Sequence, residues 1–191
     1  MALLKALHHI WSPILSMLSA KHLFKGFVTK EIKGRFAGSF AGISWTLLNP
    51  LATICVYMFL FSVVIRIPIN AEENGTDSFL IFFLAGLFLW LFFADSLGRS
   101  LDCLTGNAGL ITKVVFPVDL LPSSSLFSSL IIHSIGMALY LVYIVVKGYF
   151  AASWIWIGVL IPSHILFTWG LSLFLSALSV FVRDVKELMG I

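Results

Sequence analysis

Four long runs without a charged side chain divide this sequence and limit what it can fold into. They are Phe36–Ile65, Ser78–Ala94, Leu120–Val146 and Gly148–Val182. A transmembrane helix needs about 20 consecutive apolar residues, so each run reaches or approaches the length of one crossing. Of the 191 residues, 60% are hydrophobic and only 11% are charged, too few to cover a soluble core of this size. The chain is therefore predicted to be an all-α integral membrane protein.

The fourth run is longer than one crossing requires. Its beginning, around Trp154 and Trp156, is expected to form an external turn with aromatic side chains at the membrane interface. The sequence is interpreted as one transmembrane domain, 1–191, with predicted membrane helices at residues 41–65, 78–98, 120–146 and 158–182. Residues 1–35 are expected to be a cytoplasmic amphipathic region, and residues 99–119 a cytoplasmic loop.

The segment before the first span is strongly basic. It carries one acid, Glu31, against Lys5, Lys21, Lys25, Lys30, Lys33 and Arg35. Its apolar residues recur at helical spacing, while several lysines lie off that stripe: Leu23, Phe24, Phe27, Val28 and Ile32 form the stripe. This pattern favours a helix lying in the membrane interface. An amphipathic helix packed on protein is the alternative.

Three glycines, Gly34, Gly38 and Gly42, follow at four-residue intervals. On one helix they would form a face that a second backbone can approach closely. The alternative is that they only let the chain bend from the interface into the membrane. Both interpretations stay open at the level of sequence.

The break between the second and third runs, Asp95–Pro122, concentrates charged residues that a bilayer would reject. Asp95 and Arg99 are expected to pair at i,i+4, with Asp102 extending the ladder along a solvated helix face. The stretch from Ser96 to Lys113 can form a short helix with a polar face. It is therefore a plausible docking element for a partner protein.

Orientation follows from the distribution of the 12 Lys and Arg residues. Six precede the first span, two lie in the central break and two follow the fourth run, whereas Arg66 and Lys147 fall on the opposite side. The positive-inside rule then places the central break and both termini of the chain in the cytoplasm.

Catalytic and metal-binding motifs are lacking. The sequence contains no nucleotide-binding G-x-x-x-x-G-K-[ST], no H-E-x-x-H and no G-x-S-x-G. His133 and His164, without an intramembrane carboxylate, are expected to bond neighbouring groups rather than form a proton relay or metal site. Cys55 and Cys103 are expected to remain free thiols. No catalytic, cofactor-binding or metal-ligating residue is assigned, and an enzyme is not predicted.

Four segments carry a family resemblance. They are EIKGRFAGSFAGISWTLLNPL (Glu31–Leu51), FFLAGLFLWLFF (Phe82–Phe93), NAGLITKVVFPVDLLP (Asn107–Pro122) and VFVRDVKELMG (Val180–Gly190). In this order they resemble the membrane subunit of type-2 ATP-binding-cassette (ABC) exporters, more closely the permeases that export O-antigen, capsule or teichoic-acid polysaccharides. The family continues with two more spans, so the chain resembles a C-terminally truncated member with four of six.

The resemblance implies a permease in the bacterial inner membrane that works as a homodimer. It has no cofactor of its own, ATP being bound by a separate ATPase subunit. By analogy the loop between the second and third spans is the coupling helix that contacts the ATPase, and Arg183-Asp184 matches the cytoplasmic end of the fourth span. The candidate coupling residues are Leu101, Leu104, Asn107, Leu110, Lys113, Phe116 and Pro117, with Pro122 also matching the family motif.

The implied substrate is a polysaccharide on a lipid diphosphate carrier, threaded through a channel whose aromatic walls stack on sugar faces. Tyr57, Phe61 and Trp90 are the candidate channel aromatics, against the alternative that they face lipid. An exporter of drugs or small lipids shares the architecture, and a non-transporting membrane scaffold or truncated remnant is a third hypothesis. A nucleic-acid partner is not expected.

Overall fold

A computed structural model of the chain describes residues 13–65, 78–149, 152–182 and 184–188, without the side chains of Ser62, Ala152, Ser153 and Leu188. Three residues used in the predictions of orientation and family lie outside the described residues: Lys5, Arg66 and Arg183. The α-helices are α1 (Lys21–Arg35), α2 (Trp45–Phe59), α3 (Phe79–Cys103), α4 (Ala108–Ile111), α5 (Leu120–Val146), α6 (Ile157–Phe181) and α7 (Val185–Leu188). A helical stretch, residues 13–19, precedes α1.

Four helical segments are long and apolar enough to cross a membrane. They are Gly42–Ile65, Phe79–Cys103, Leu120–Val146 and Trp154–Phe181. Helix α2 continues into a π-helical stretch, Leu60–Ile65, and a 3-10 helix, Ala152–Trp156, precedes α6. The prediction of an all-α, multi-pass membrane protein is thereby confirmed for the part of the chain that the structure describes.

Helix α3 is longer than the predicted second span. It continues past residue 98 to Cys103, so the first residues of the predicted loop are helical. The i,i+4 pair of Asp95 and Arg99 supports the added turn, with Arg99 Nε 2.9 Å from Asp95 Oδ1. Asn107 Nδ2 then donates to the Cys103 carbonyl at 2.8 Å and satisfies one of the free acceptors at the helix end.

The chain forms two compact units. The apolar unit contains Phe36–Phe93 and Leu130–Pro162. Its core is built from α3 and α5 and consists of Leu80, Ile81, Leu84, Phe88, Tyr140 and Ile144. The hydroxyl of Tyr140 donates to the Ile81 carbonyl at 2.9 Å, so the one polar group of that core is satisfied.

At Gly136, α5 packs closely against α2 and α3. A Cβ atom at this position would lie 2.8 Å from Phe88 Cε1 and 3.1 Å from Pro50 Cβ. A small residue lets helices pack closely in lipid, where burial of apolar surface contributes little to association. Gly136 on α5 therefore permits the close helix packing that the sequence suggested for Gly34, Gly38 and Gly42.

Those earlier glycines do not form a helix face. Gly38 has φ +76° and Gly42 has φ +52°, and the intervening residues are turns and bends. The left-handed region suits glycine because it has no Cβ atom. The close-packing interpretation of this stripe is wrong, and the bend interpretation is supported.

Helix α1 belongs to the polar unit, which contains the chain up to Arg35, Ala94–Ser129 and the chain from Ser163 onward. The apolar stripe of α1 packs on protein within this unit. Phe24 meets Phe127 edge-on at 5.5 Å between ring centroids, Phe27 lies 5.5 Å from Phe116, and Val28 is buried. These contacts support the alternative of an amphipathic helix packed on protein.

Small hydroxyl side chains fill the interior of the polar unit. The buried set comprises Ser96, Ser100, Ser123, Ser124, Ser125, Ser128, Ser129, Thr168, Ser172, Ser176 and Ser179. Several bond carbonyls one turn back on their own helix, such as Ser124 to Leu121 and Ser128 to Ser125, both at 2.8 Å. Serine is small enough to let helices approach and polar enough to bond across them.

Candidate functional site

Arg35, the last residue of α1, is inserted among helices of the polar unit. Its side chain is only 6% exposed, and Nη1 donates to Asp95 Oδ2 on α3 at 2.6 Å. Nη2 donates to the hydroxyls of Ser129 and Ser128 on α5, at 2.6 and 3.1 Å. One guanidinium group therefore joins three helices. The planar fork of arginine suits such multiple bonding better than the single ammonium of lysine.

Two arginines share one carboxylate at this position. Asp95 Oδ1 accepts from Arg99 Nε at 2.9 Å, while Oδ2 accepts from Arg35. Burial lowers the pKa of the Arg35 guanidinium, Asp95 acts in the opposite direction, and the charge of Arg99 lowers it further. An arginine side chain keeps its proton in proteins, so Arg35 is a buried cation whose burial Asp95 makes tolerable.

Beside this network lies an open cleft of about 370 Å³. Its polar lining consists of Glu31, Asp95, Arg99, Asp102 and Asn107. Lys30 Nζ, on α1, donates to Asn107 Oδ1 at 3.1 Å and forms a second polar tie between α1 and the segment after α3. The cleft is charged and open, so it suits polar contacts rather than an apolar ligand.

The end of α6 and helix α7 are fixed to the end of α3. Ser179 Oγ donates to the Leu101 carbonyl at 2.8 Å, and the ammonium group of Lys186 pairs with Asp102. The predicted pair of Asp95 and Arg99 is confirmed. Asp102, predicted to extend the ladder along a solvated face, is 61% exposed as predicted, and it pairs with Lys186 on another helix. Asp95 itself is 24% exposed, and it also accepts from the buried guanidinium of Arg35.

The candidate coupling residues occupy two kinds of environment. Leu101 is 1% exposed and lies inside the polar unit, so its side chain does not belong to a surface that a partner can reach. Leu104, Asn107, Leu110 and Phe116 are half-buried, and Lys113 and Pro117 are exposed.

Helix α4 and the residues after it form the most exposed part of this segment. Val115 is fully exposed and Val114 half exposed, directly after Lys113. Pro122, by contrast, is buried at the start of α5. An apolar pair beside an exposed lysine has the chemistry of a protein-contact surface.

The candidate channel aromatics lie in the apolar unit. Tyr57 and Phe61 stack at 5.9 Å between centroids and also contact Phe83 at 4.9 and 4.8 Å. Trp90 is 61% exposed and contacts Phe93 at 5.7 Å. The structure brings Tyr57 and Phe61 together, and Trp90 is not among their described ring contacts.

The burial of Arg35 was not predicted from the sequence, in which this residue counts only as a charge that sets topology. The signal was present, because Arg35 follows Val28 by seven residues and Phe24 by eleven, and so continues the apolar stripe of α1. A basic residue on the buried face of an amphipathic helix predicts a buried partner. The serine pair on α5 gives no comparable signal.

Known proteins resemble this chain over most of its length. The O-antigen export system permease protein RfbA of Myxococcus xanthus is 33% identical over 172 residues, which are 88% of this chain and 62% of that protein. A Klebsiella pneumoniae protein of the same name is 30% identical over 164 residues, 85% of this chain and 61% of the relative. The chain is therefore similar to O-antigen export permeases over most of its own length. No protein-family model matches it.

A more distant relative extends the similarity beyond O-antigen permeases. The polysialic acid transport protein KpsM of Escherichia coli is 26% identical over 122 residues, 63% of this chain and 45% of that protein. Together the relatives confirm the resemblance to permeases of type-2 ABC exporters. The chain spans about three-fifths of the length of the RfbA relatives.

Two smaller predictions concern thiols and metals. Cys55 and Cys103 are both free, as predicted. Within the described residues, no group of three or more His, Cys, Asp or Glu side chains is arranged to hold a metal ion.

Proposed function

We propose that the chain is part of the membrane permease of an ABC exporter that moves a lipid-linked polysaccharide across the bacterial inner membrane. The substrate class is O-antigen, capsule or teichoic acid. A separate ATPase subunit binds and hydrolyses ATP, and a second copy of the permease completes the channel. The similarity to O-antigen permeases over 88% of the chain carries this proposal.

The contact with the ATPase is proposed to lie in the segment that follows α3. Lys113, Val114 and Val115 are exposed there, just after α4. The same segment is tied to α1 through Asn107, and the end of α3 directly before it is tied to α7 through Asp102. A force applied to the segment therefore reaches several helices of the polar unit. With ten of the 12 basic residues on the same side, this segment and both termini of the chain face the cytoplasm.

The test is deletion of the gene, followed by complementation with the permease as the gene encodes it. The proposal expects loss of surface polysaccharide, accumulation of the lipid-linked precursor inside the cell, and co-purification of an ABC ATPase with the tagged permease. Normal surface polysaccharide together with greater sensitivity to small toxic compounds would instead identify a drug exporter. No co-purifying ATPase would favour a membrane scaffold.

A further inference from the structure

The environment of Arg35 differs from that of an arginine that only anchors a helix at the membrane surface. Its guanidinium is buried and donates to one carboxylate and two hydroxyls on two other helices. The Nε atom, also buried, has no hydrogen-bond partner within the described part of the chain. A cation is costly to hold in such a place, so a purely topological role would be served better by an exposed lysine.

The contacts around Arg35 fix α1 along its length. Phe24 packs on Phe127 of α5, and Phe27 packs on Phe116 in the segment after α4. Lys30 bonds Asn107 beyond the end of α3. Arg35 then joins α1 to α3 and α5 with charge-assisted bonds, which are stronger than neutral ones. Helix α1, the end of α3 and the start of α5 are thereby linked at four separate points.

The carboxylate of Asp95 has a second charged partner, Arg99, which lies on α3 and not on α1. If the Arg35 guanidinium is removed, Asp95 still has Arg99 on its own helix at 2.9 Å. The network can therefore lose the link between helices without leaving an unpaired carboxylate. This separates the positioning contribution of Arg35 from a general contribution to folding.

We propose that Arg35 is a positioning residue for transport, whose buried guanidinium holds α1 against α3 and α5 so that the three helix ends move as one body. The role of Arg35 in transport rests on the proposed function, whereas the link that it forms from α1 to α3 and α5 does not. Movement of the ATPase-contact segment is transmitted to α1 only while this link is intact. Loss of the link uncouples ATP hydrolysis from export.

The first arm of the test measures structure without reference to export. Spin labels are attached at Lys25→Cys on α1 and Thr105→Cys after α3, with Cys55 and Cys103 replaced by Ala. Wild-type Arg35 is expected to give one narrow distance distribution that changes by less than about 2 Å between nucleotide-free and ATP-bound exporter. Arg35→Gln is expected to broaden it. A wild-type change of about 5 Å, one helical turn, would overturn the proposal.

The second arm measures polysaccharide exported per ATP hydrolysed in the assembled exporter. Arg35→Gln is expected to lower this ratio about tenfold, with normal membrane insertion and a co-purifying ATPase, and Arg35→Lys to restore part of it. Lys33→Gln, an exposed neighbour on α1, is the matched control. A wild-type ratio in Arg35→Gln would overturn the proposal.

A double variant, Arg35→Leu with Asp95→Leu, distinguishes loss of positioning from poor folding. It removes both charges of the pair, so neither is left buried without its partner. A positioning role predicts that this variant inserts normally and remains uncoupled, whereas recovery of export would overturn it. Failure of the wild-type exporter to move polysaccharide contradicts the proposed function instead. The distance measurement still decides whether Arg35 holds α1.

Discussion

Nη1 of Arg35 lies 2.6 Å from Oδ2 of Asp95, a residue 60 positions later in the chain. The first ends the amphipathic helix before the spans, and the second lies in the last part of the helix that contains the second span. Their bond, with those to Ser128 and Ser129, gives the polar unit a charged centre where the sequence pattern predicts a solvated surface. The structural predictions follow from this centre and from the packing of the apolar unit.

Asp95→Asn should destabilise the protein by about 3 kcal/mol, because Arg35 would become a buried cation without its bonded carboxylate. The measurement is the midpoint of thermal unfolding in detergent, followed by size-exclusion chromatography. Glu187→Gln, an exposed carboxylate of the same unit, should leave the midpoint unchanged. Equal stability of Asp95→Asn and the wild type would contradict the buried ion pair.

Gly136→Ala should destabilise the apolar unit by about 1–3 kcal/mol, because the added methyl group would overlap the ring of Phe88. Gly86→Ala on α3 is the matched control, since a Cβ atom there meets nothing within 4 Å. The control should be neutral or stabilising by up to about 1 kcal/mol, the difference in helix propensity. If both variants unfold at the same temperature, the close approach at Gly136 is wrong.

Gly38→Ala should cost about 1–2 kcal/mol, because its φ of +76° places a Cβ atom in a strained conformation. Gly34→Ala lies within α1, has open space around it, and should not destabilise. Thermal unfolding of the two variants distinguishes a bend from a packed glycine stripe. Comparable losses at both positions would restore the stripe interpretation.

Lys113→Glu should weaken stimulation of the partner ATPase about tenfold, since charge reversal at an exposed contact opposes association. ATP hydrolysis is measured as a function of permease concentration, at low and high salt. Lys21→Glu, an exposed lysine on α1, is the control. Normal insertion with undiminished stimulation in Lys113→Glu would remove this segment from the coupling mechanism.

The class of protein and the number of apolar helices could be predicted from the sequence, because uncharged runs of this length have few alternatives to a membrane helix. The pair of Asp95 and Arg99 was also predictable, since both lie on one helix at i,i+4. The partners of Arg35 and Asp102 could not be. They depend on how separate helices pack, and sequence spacing within one helix carries no information about that.

The buried serines illustrate the same limit. Ser123, Ser128 and Ser129 lie in a serine-rich stretch of the third uncharged run, and the sequence does not indicate what they contact. In the structure they accept bonds from Trp169 on α6 and from Arg35 on α1. Gly34, Gly38 and Gly42 led to a different error. Their regular spacing suggested one helix face, but the positive φ angles of Gly38 and Gly42 interrupt the helix.

The most direct test of the proposed function is ATP-dependent movement of lipid-linked polysaccharide in vesicles that contain only the purified permease and its ATPase. The account predicts that polysaccharide crosses the membrane with ATP, and that neither a non-hydrolysable analogue nor omission of the ATPase supports movement. Movement at the same rate without ATP, or none with an active ATPase bound to the permease, would contradict it.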